Sequence, residues 1–166
     1  MKEIQCITLS RGRIEKFNTI QELLALELEE IFIIDMDALR KGRPSIKFYS
    51  DISKYFQVYA LSLCNRLDDL VDSLISGCEG VVISPLISEK LLNDFLEVSE
   101  NIIMPYTSLP SSRAFSLMGG SYYLCNVTVN YKFKTNFYYG LGDPGESYIR
   151  LKDFPVSNYD MALESR

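Results

Sequence analysis

Histidine and tryptophan are both absent from the 166 residues of this chain. Without imidazole, Ser-His-Asp and Cys-His nucleophile pairs, histidine proton shuttles and histidine-ligated metal sites are excluded, so acid-base work falls to Asp, Glu, Lys, Tyr or Cys. Positive charge is scarce as well: 17 Lys and Arg stand against 22 Asp and Glu, a net charge of -5 that offers no basic footprint for nucleic acid. Long apolar runs are missing. Ile31 to Ile34 and Val81 to Ile83 are far shorter than the roughly 18 residues of a membrane span, and no cationic amphipathic stretch provides a membrane-surface helix. Met1-Lys2-Glu3 leads into a strand-like segment rather than a signal sequence, so the expected compartment is the cytoplasm. The four cysteines (Cys6, Cys64, Cys78, Cys125) form no Cys-x-x-Cys pair and sit among apolar neighbours, which predicts packed, reduced thiols. No metal and no cofactor are expected.

What is present is unevenly distributed. Residues 1 to 100 hold 17 acids and 11 bases, residues 101 to 166 hold 5 and 6, and no acid occurs from Asn101 to Gly142. Eight of the eleven tyrosines follow residue 100. This shift predicts two differently built sections, 1-106 and 107-166, packed on each other.

In the first section, strand-like and helix-like runs alternate. Glu3 to Thr8 and Arg13 to Phe17 flank Gly12 as a hairpin, and Thr19 opens a helix. Apolar runs at Glu30 to Asp35, Phe56 to Leu61, Gly80 to Ser84 and Ile102 to Met104 are separated by helical patterns, among them Arg66 to Ser76 and a run capped by Ser88. The fold class is therefore α/β, a mainly parallel sheet of βαβ units. After Pro105 the pattern changes to a Ser/Pro/Gly loop at 107 to 121, in which Ala114 to Met118 offers a short helical turn, then β-formers at Tyr122 to Phe133, Asn136 to Tyr139 and Tyr148 to Leu151. These predict a Tyr-rich hairpin or meander, ended by a helix over Ser157 to Glu164.

Three segments carry a resemblance. Ile4 to Ile14 (Ile-Gln-Cys-Ile-Thr-Leu-Ser-Arg-Gly-Arg-Ile), Ile33-Ile34-Asp35-Met36-Asp37-Ala38 with Gly42-Arg43-Pro44-Ser45, and Val81 to Ile87 with Leu91-Leu92 occur in an order similar to the opening of the ProFAR isomerase of histidine biosynthesis and its sister, the cyclase subunit of imidazole glycerol phosphate synthase. The resemblance spans about three fifths of the chain and implies a TIM-type (β/α) barrel. With 166 residues against the roughly 250 typical of a complete barrel, it implies the first half only, completed by a β-rich C-terminal section. The family's chemistry is missing at the matching positions. Thr8 stands for the acid-base aspartate of the first strand, and Leu61-Ser62-Leu63-Cys64-Asn65 stands for the glycine cradle that holds a phosphate. Ser84-Pro85 stands for a Gly-Thr.

Several candidate sites remain. Asp35 and Asp37 close an apolar strand at the edge where α/β folds bind ligands, and strand alternation predicts that they share a side, suiting a hydroxyl-rich ligand, a cation or a general base. Alternatively, one caps the next turn and the other pairs with Arg40, Lys41 or Arg43. Ser84 and Ser88 offer anion contacts at a helix start, with Ser88 as a plain cap the competing reading. Arg11, Arg13 and Arg43 are candidate phosphate clamps or solvated loop charges. Gly140 to Gly145 lacks the Gly-Lys-Ser/Thr ending of a P-loop and reads as a turn. Tyr122, Tyr123, Tyr131, Tyr138, Tyr139 and Tyr148 read as core-covering aromatic pairs or a self-association surface.

Three functions follow from these features. The first is a diverged, non-catalytic relative of the histidine-pathway barrels acting through self-association or partner binding, because a half barrel leaves its sheet edges open. The second is an enzyme on a small phosphorylated or polyhydroxylated metabolite using Asp35 and Asp37. The third is a regulatory module that binds such a molecule without turnover. The first is preferred, and it predicts a homo-oligomer.

Overall fold

A computed structural model describes residues 2-129 and 133-164. Tyr131, one of the aromatic candidates, lies outside the described residues. The chain forms β1 (Glu3–Ser10), β2 (Arg13–Ile14), α1 (Ile20–Leu24), β3 (Glu30–Asp35), α2 (Met36–Lys41), α3 (Ile46–Ile52), β4 (Gln57–Cys64) and α4 (Leu67–Ile75). It continues through β5 (Cys78–Ile83), α5 (Glu89–Val98), β6 (Ile102–Pro105), α6 (Leu109–Leu117), β7 (Tyr122–Cys125), β8 (Thr135–Tyr138), β9 (Tyr148–Lys152) and α7 (Val156–Glu164).

The strands are ordered β2-β1-β3-β4-β5-β6-β7-β8-β9, and β9 returns to pair in parallel with β1. Every neighbouring pair is parallel except the β1-β2 hairpin, so eight strands close a parallel barrel and β2 is an outer addition. Two expectations are corrected here. The half barrel is a whole one, and the predicted C-terminal meander is instead the parallel strands β7, β8 and β9. The reason is the shortness of two connections. Only nine residues each, 126-134 and 139-147, join β7 to β8 and β8 to β9, a length that reads as a hairpin loop. Nine extended residues nevertheless reach about 30 Å, enough to run back along a four-residue strand of roughly 13 Å. Closure also removes the open edges from which a covering partner was argued. The expected boundary near residue 106 falls between β6 and α6, and β6 pairs directly with β7 across it.

Register and alternation sort the side chains into an inside and an outside. Cys6 lies beside Phe32, Ile34 beside Leu61, Leu61 beside Val82, Val82 beside Ile103, Leu124 beside Phe137 and Ile4 beside Leu151, and these residues form one buried cluster inside the barrel. Aromatic rings meet across that interior: Phe137 on β8 lies 5.5 Å from Phe32 on β3 and 5.1 Å from Tyr59 on β4, measured between ring centroids. The other face, including Ile7, Ile33, Ala60, Val81 and Ile102, packs against the helices.

Where helices are missing, aromatics cover the wall. Tyr123 on β7 is enclosed by Phe133 (4.4 Å, edge-on) and Phe115, and Tyr138 packs edge-on against Tyr148 at 5.7 Å. The Tyr148 hydroxyl accepts the Val129 N–H at 3.0 Å, which fastens the β7-β8 connection onto the outside of β9. The four cysteines are unpaired and buried, and burial pushes the Cys64, Cys78 and Cys125 thiols up to about 12. Among the described residues, no helix is long and apolar enough to cross a membrane.

Gly80 makes room inside the barrel. A Cβ there would lie 3.1 Å from the Tyr59 ring, 3.2 Å from the Asn101 carbonyl oxygen and 3.2 Å from Ile103. Although valine favours strands, Gly80→Val is expected to destabilise the protein by about 1–3 kcal/mol through overpacking. Urea unfolding reads this directly; an unchanged or raised midpoint would show that the interior is not packed in this way.

Candidate functional site

Barrels bind ligands at the C-terminal ends of their strands, where the βα connections converge. In this protein that mouth is filled by apolar side chains. Helix α2 starts directly after β3 and brings Met36 and Leu39 over the opening, and β9 leads through Phe154 into α7, which adds Tyr159 and Leu163. Phe154 stacks on Tyr139 at 4.3 Å, and Tyr159 stands edge-on to Tyr139 and Phe154 at 5.5 and 5.3 Å. Tyr159 is 1% exposed, and burial, followed by the field of neighbouring Tyr139 and Asp160, drives its phenol well above its ordinary value. This ring cluster seals the mouth with groups that do not ionise near neutrality.

The two aspartates diverge. Asp35 pairs in register with Leu9 on the outward face of the sheet and points into the helix layer, fully buried. Its carboxylate accepts four hydrogen bonds: the Ala38 N–H at 2.9 Å, the Ser45 hydroxyl at 2.9 Å, the Ser45 N–H at 3.0 Å and the Tyr49 hydroxyl. It thus caps α2 and ties together β3, the Gly42-Arg43-Pro44 turn and α3. Asp37, in the first turn of α2, accepts the backbone N–H groups of Arg11 at 2.7 Å and Gly12 at 2.9 Å, and lies 3.6 Å from Arg40. Burial alone would raise its carboxyl; the Gly12 and Arg11 amides, with Lys41 and Arg40, outweigh this and hold it below 3.8.

The remaining candidates do not join them. Arg43 is exposed in its turn. Ser84 is buried at the exit of β5, its N–H donating to the Cys64 carbonyl at 3.0 Å and its hydroxyl accepting the Leu86 N–H at 3.2 Å. Ser88 is exposed and caps α5 through the Leu91 N–H at 3.1 Å. Leu63, within the segment matched to the glycine cradle, sits in a β-bulge at φ 51 with its side chain buried inside the barrel. The loop 140-145 is a tied turn. Arg150 donates to the Gly140 and Gly142 carbonyls, so this loop presents acceptors to a cation and cradles no anion.

Cavities of about 250 to 720 Å³ lie elsewhere, and none of five such cavities is lined by Asp35, Asp37, Arg43, Ser84 or Ser88. One of 360 Å³ lies at the closure seam beside Thr8, where β1 passes from β9 to β2. One of 510 Å³ is an apolar groove between α5 and α6. A third, of 720 Å³, gathers Arg11 and Arg13 with Arg40 at the end of β1. Arg40 was missed in the sequence because it reads as a partner for an acid on its own helix; its proximity to the hairpin depends on strand order. Likewise, the i, i+4 pair Tyr159 and Leu163 was the only sequence signal that α7 has an apolar face to bury.

The architecture is that of a small parallel (β/α) barrel with a sealed mouth. Comparison with models of known families and with curated proteins gives no match to the chain.

Asp35→Asn places a carboxamide N–H against the Ser45 and Tyr49 donors, and is expected to cost about 1–3 kcal/mol in urea unfolding. Tyr49→Phe should cost less, since the other three donors remain. For Asp37 the folded carboxyl is depressed, so its contribution is present above about 3.9, the ordinary aspartate value, and fades as pH falls through the folded one. The stability gap between the wild type and Asp37→Asn is therefore expected at pH 7 and should shrink below pH 4. A gap that grows in acid would contradict the assignment.

Proposed function

We propose that the protein is a non-catalytic barrel, diverged from the histidine-pathway isomerase and cyclase fold, that acts by associating with a second copy of itself. The observation that carries the reading is the commitment of the mouth: Tyr159, Phe154 and Tyr139 occupy the place of a barrel active site, and Asp35 and Asp37 are spent on internal donors. A general base needs a free lone pair facing a substrate proton, and a carboxylate holding four donors has none to spare.

The surface that favours association is α6 and its groove. Leu109 and Leu117 on α6 are 55% and 77% exposed, and Leu86 nearby is 66% exposed. The helix belongs to the acid-free stretch from Asn101 to Gly142 in a chain that is otherwise strongly acidic, and its Arg113 lines a shallow pocket with Leu109 and Leu117. The exposed leucines give a second copy an apolar seat, and Arg113 beside them meets an acidic surface of that copy with complementary charge.

Light scattering during size exclusion tests this. At about 10 µM, a concentration that populates any dimer of micromolar affinity, the wild type is expected to elute as a dimer and Leu117→Glu as a monomer. A monomeric wild type would overturn the proposal, as would a dimer untouched by Leu117→Glu.

A further inference from the structure

The β1-β2 hairpin turns through Arg11 and Gly12, both with positive φ, at 55° and 72°. A two-residue turn of this kind favours Asn, Asp or Gly at its first position, because a longer side chain is strained in the left-handed region. Arginine is a poor choice for that backbone, and a strained residue that persists points to a use for its side chain. The strain is held in place from outside the turn. The Asp37 carboxylate grips the two N–H groups of the turn, at 2.7 and 2.9 Å, so it fixes the backbone while the Arg11 guanidinium stays exposed.

Arg13 enters β2 opposite Ser10, and Arg40 comes from the end of α2, its guanidinium donating to the Ser10 hydroxyl at 2.7 Å. The three guanidinium-bearing residues, with Ser10, Ile14 and Glu15, line one open cavity of about 720 Å³. Three arginines against two carboxylates, Glu15 in the lining and Asp37 at 3.6 Å from Arg40, leave this spot with an excess of positive charge on a protein whose net charge is -5. It stands at the C-terminal end of β1, on the ligand-binding side of a barrel and beside the sealed mouth.

We propose that this cavity binds the phosphate group of a small soluble metabolite. Guanidinium groups suit a phosphate because their planar forks donate paired hydrogen bonds to its oxygens; Arg40 is already shared with Asp37, which leaves Arg11 and Arg13 as the main donors against the carboxylate of Glu15. The wide opening leaves the rest of the ligand in solvent or along the hairpin. This site is independent of the association surface on α6, so either proposal can fail alone.

The test is calorimetric titration of the full chain with pyrophosphate and inorganic phosphate at low salt, beside thermal unfolding. Saturable one-to-one binding is expected, tighter for pyrophosphate. Arg13→Gln should weaken it at least tenfold, while Arg66→Gln, outside the cavity, leaves it unchanged. Arg11→Asn is the sharpest variant. It is expected to weaken binding at least tenfold and yet raise Tm by about 1–4 °C, because asparagine relieves the turn. Absence of saturable heat at 10 mM pyrophosphate would overturn the proposal, as would undiminished affinity in Arg11→Asn or Arg13→Gln, or a fall in Tm of Arg11→Asn. Vesicles of phosphatidylcholine with phosphatidic acid separate the lipid source: sedimentation with vesicles and no response to soluble pyrophosphate would also overturn it.

Discussion

A three-residue ladder decides what this molecule is. Glu3, Ile4 and Gln5 on β1 pair with Arg150, Leu151 and Lys152 on β9, and the Arg150 N–H extends the contact to the Lys2 carbonyl at 2.9 Å. Without that seam the sheet would be an open array with two unpaired edges and an apolar inner face in water. With it, Ile4 and Leu151 become neighbours inside a barrel, and the ring of interior side chains is complete. Each of the other features answers to this closure. Gly80 lacks a side chain because Tyr59 needs the space, and Phe137 reaches Phe32 because the strands that carry them curve around a common axis.

Closing so many strands between residues 3 and 152 leaves little chain for connections. The economy falls on the β7-β8-β9 sector, where the connections are only nine residues long and much of the covering of the wall passes to tyrosine and phenylalanine. It also falls on the mouth. A barrel with long βα loops can build a polar pocket there. This one has α2 following β3 without a loop and α7 folded back over the opening, so the same place is used to bury apolar surface. The sealed mouth and the local bonding of Asp35 and Asp37 are one result: the upper end of the barrel is built for stability. The arginine-lined hairpin and the α6 face, the two places proposed for a ligand and a partner, lie outside the barrel.

Much of the first two thirds was legible because its signals are local. The apolar runs of β3, β5 and β6, the Gly12 hairpin and the Ser88 cap each need only neighbouring residues to specify them. Asp35 and Asp37 were legible as a pair of strand-end acids, and the reading in which one caps and the other meets Arg40 was available from spacing. Which donors they take was not, because Tyr49 and the hairpin amides reach them through tertiary packing. The parallel pairing of β7, β8 and β9 was hidden for a different reason: loop length is the sequence's clue to strand direction, and nine residues serve either direction. Arg40 joining Arg11 and Arg13 also depends on β3 lying beside β1. Ser108 and Pro110 mark the start of α6, yet the Ser/Pro/Gly content of the loop read at 107 to 121 left only the turn from Ala114 to Met118 legible as helix.

The central claim is that the chain is one closed barrel, in which the last strands are as integral as the first. Native-state amide hydrogen exchange, followed by mass spectrometry on peptides covering each strand, tests it most directly. A closed barrel predicts that β1 and β9 exchange with the same slow, cooperative opening as β4 and β5. Protection of residues 3 to 105 with fast exchange over residues 122 to 152 would mean that the seam is not formed and would contradict the account.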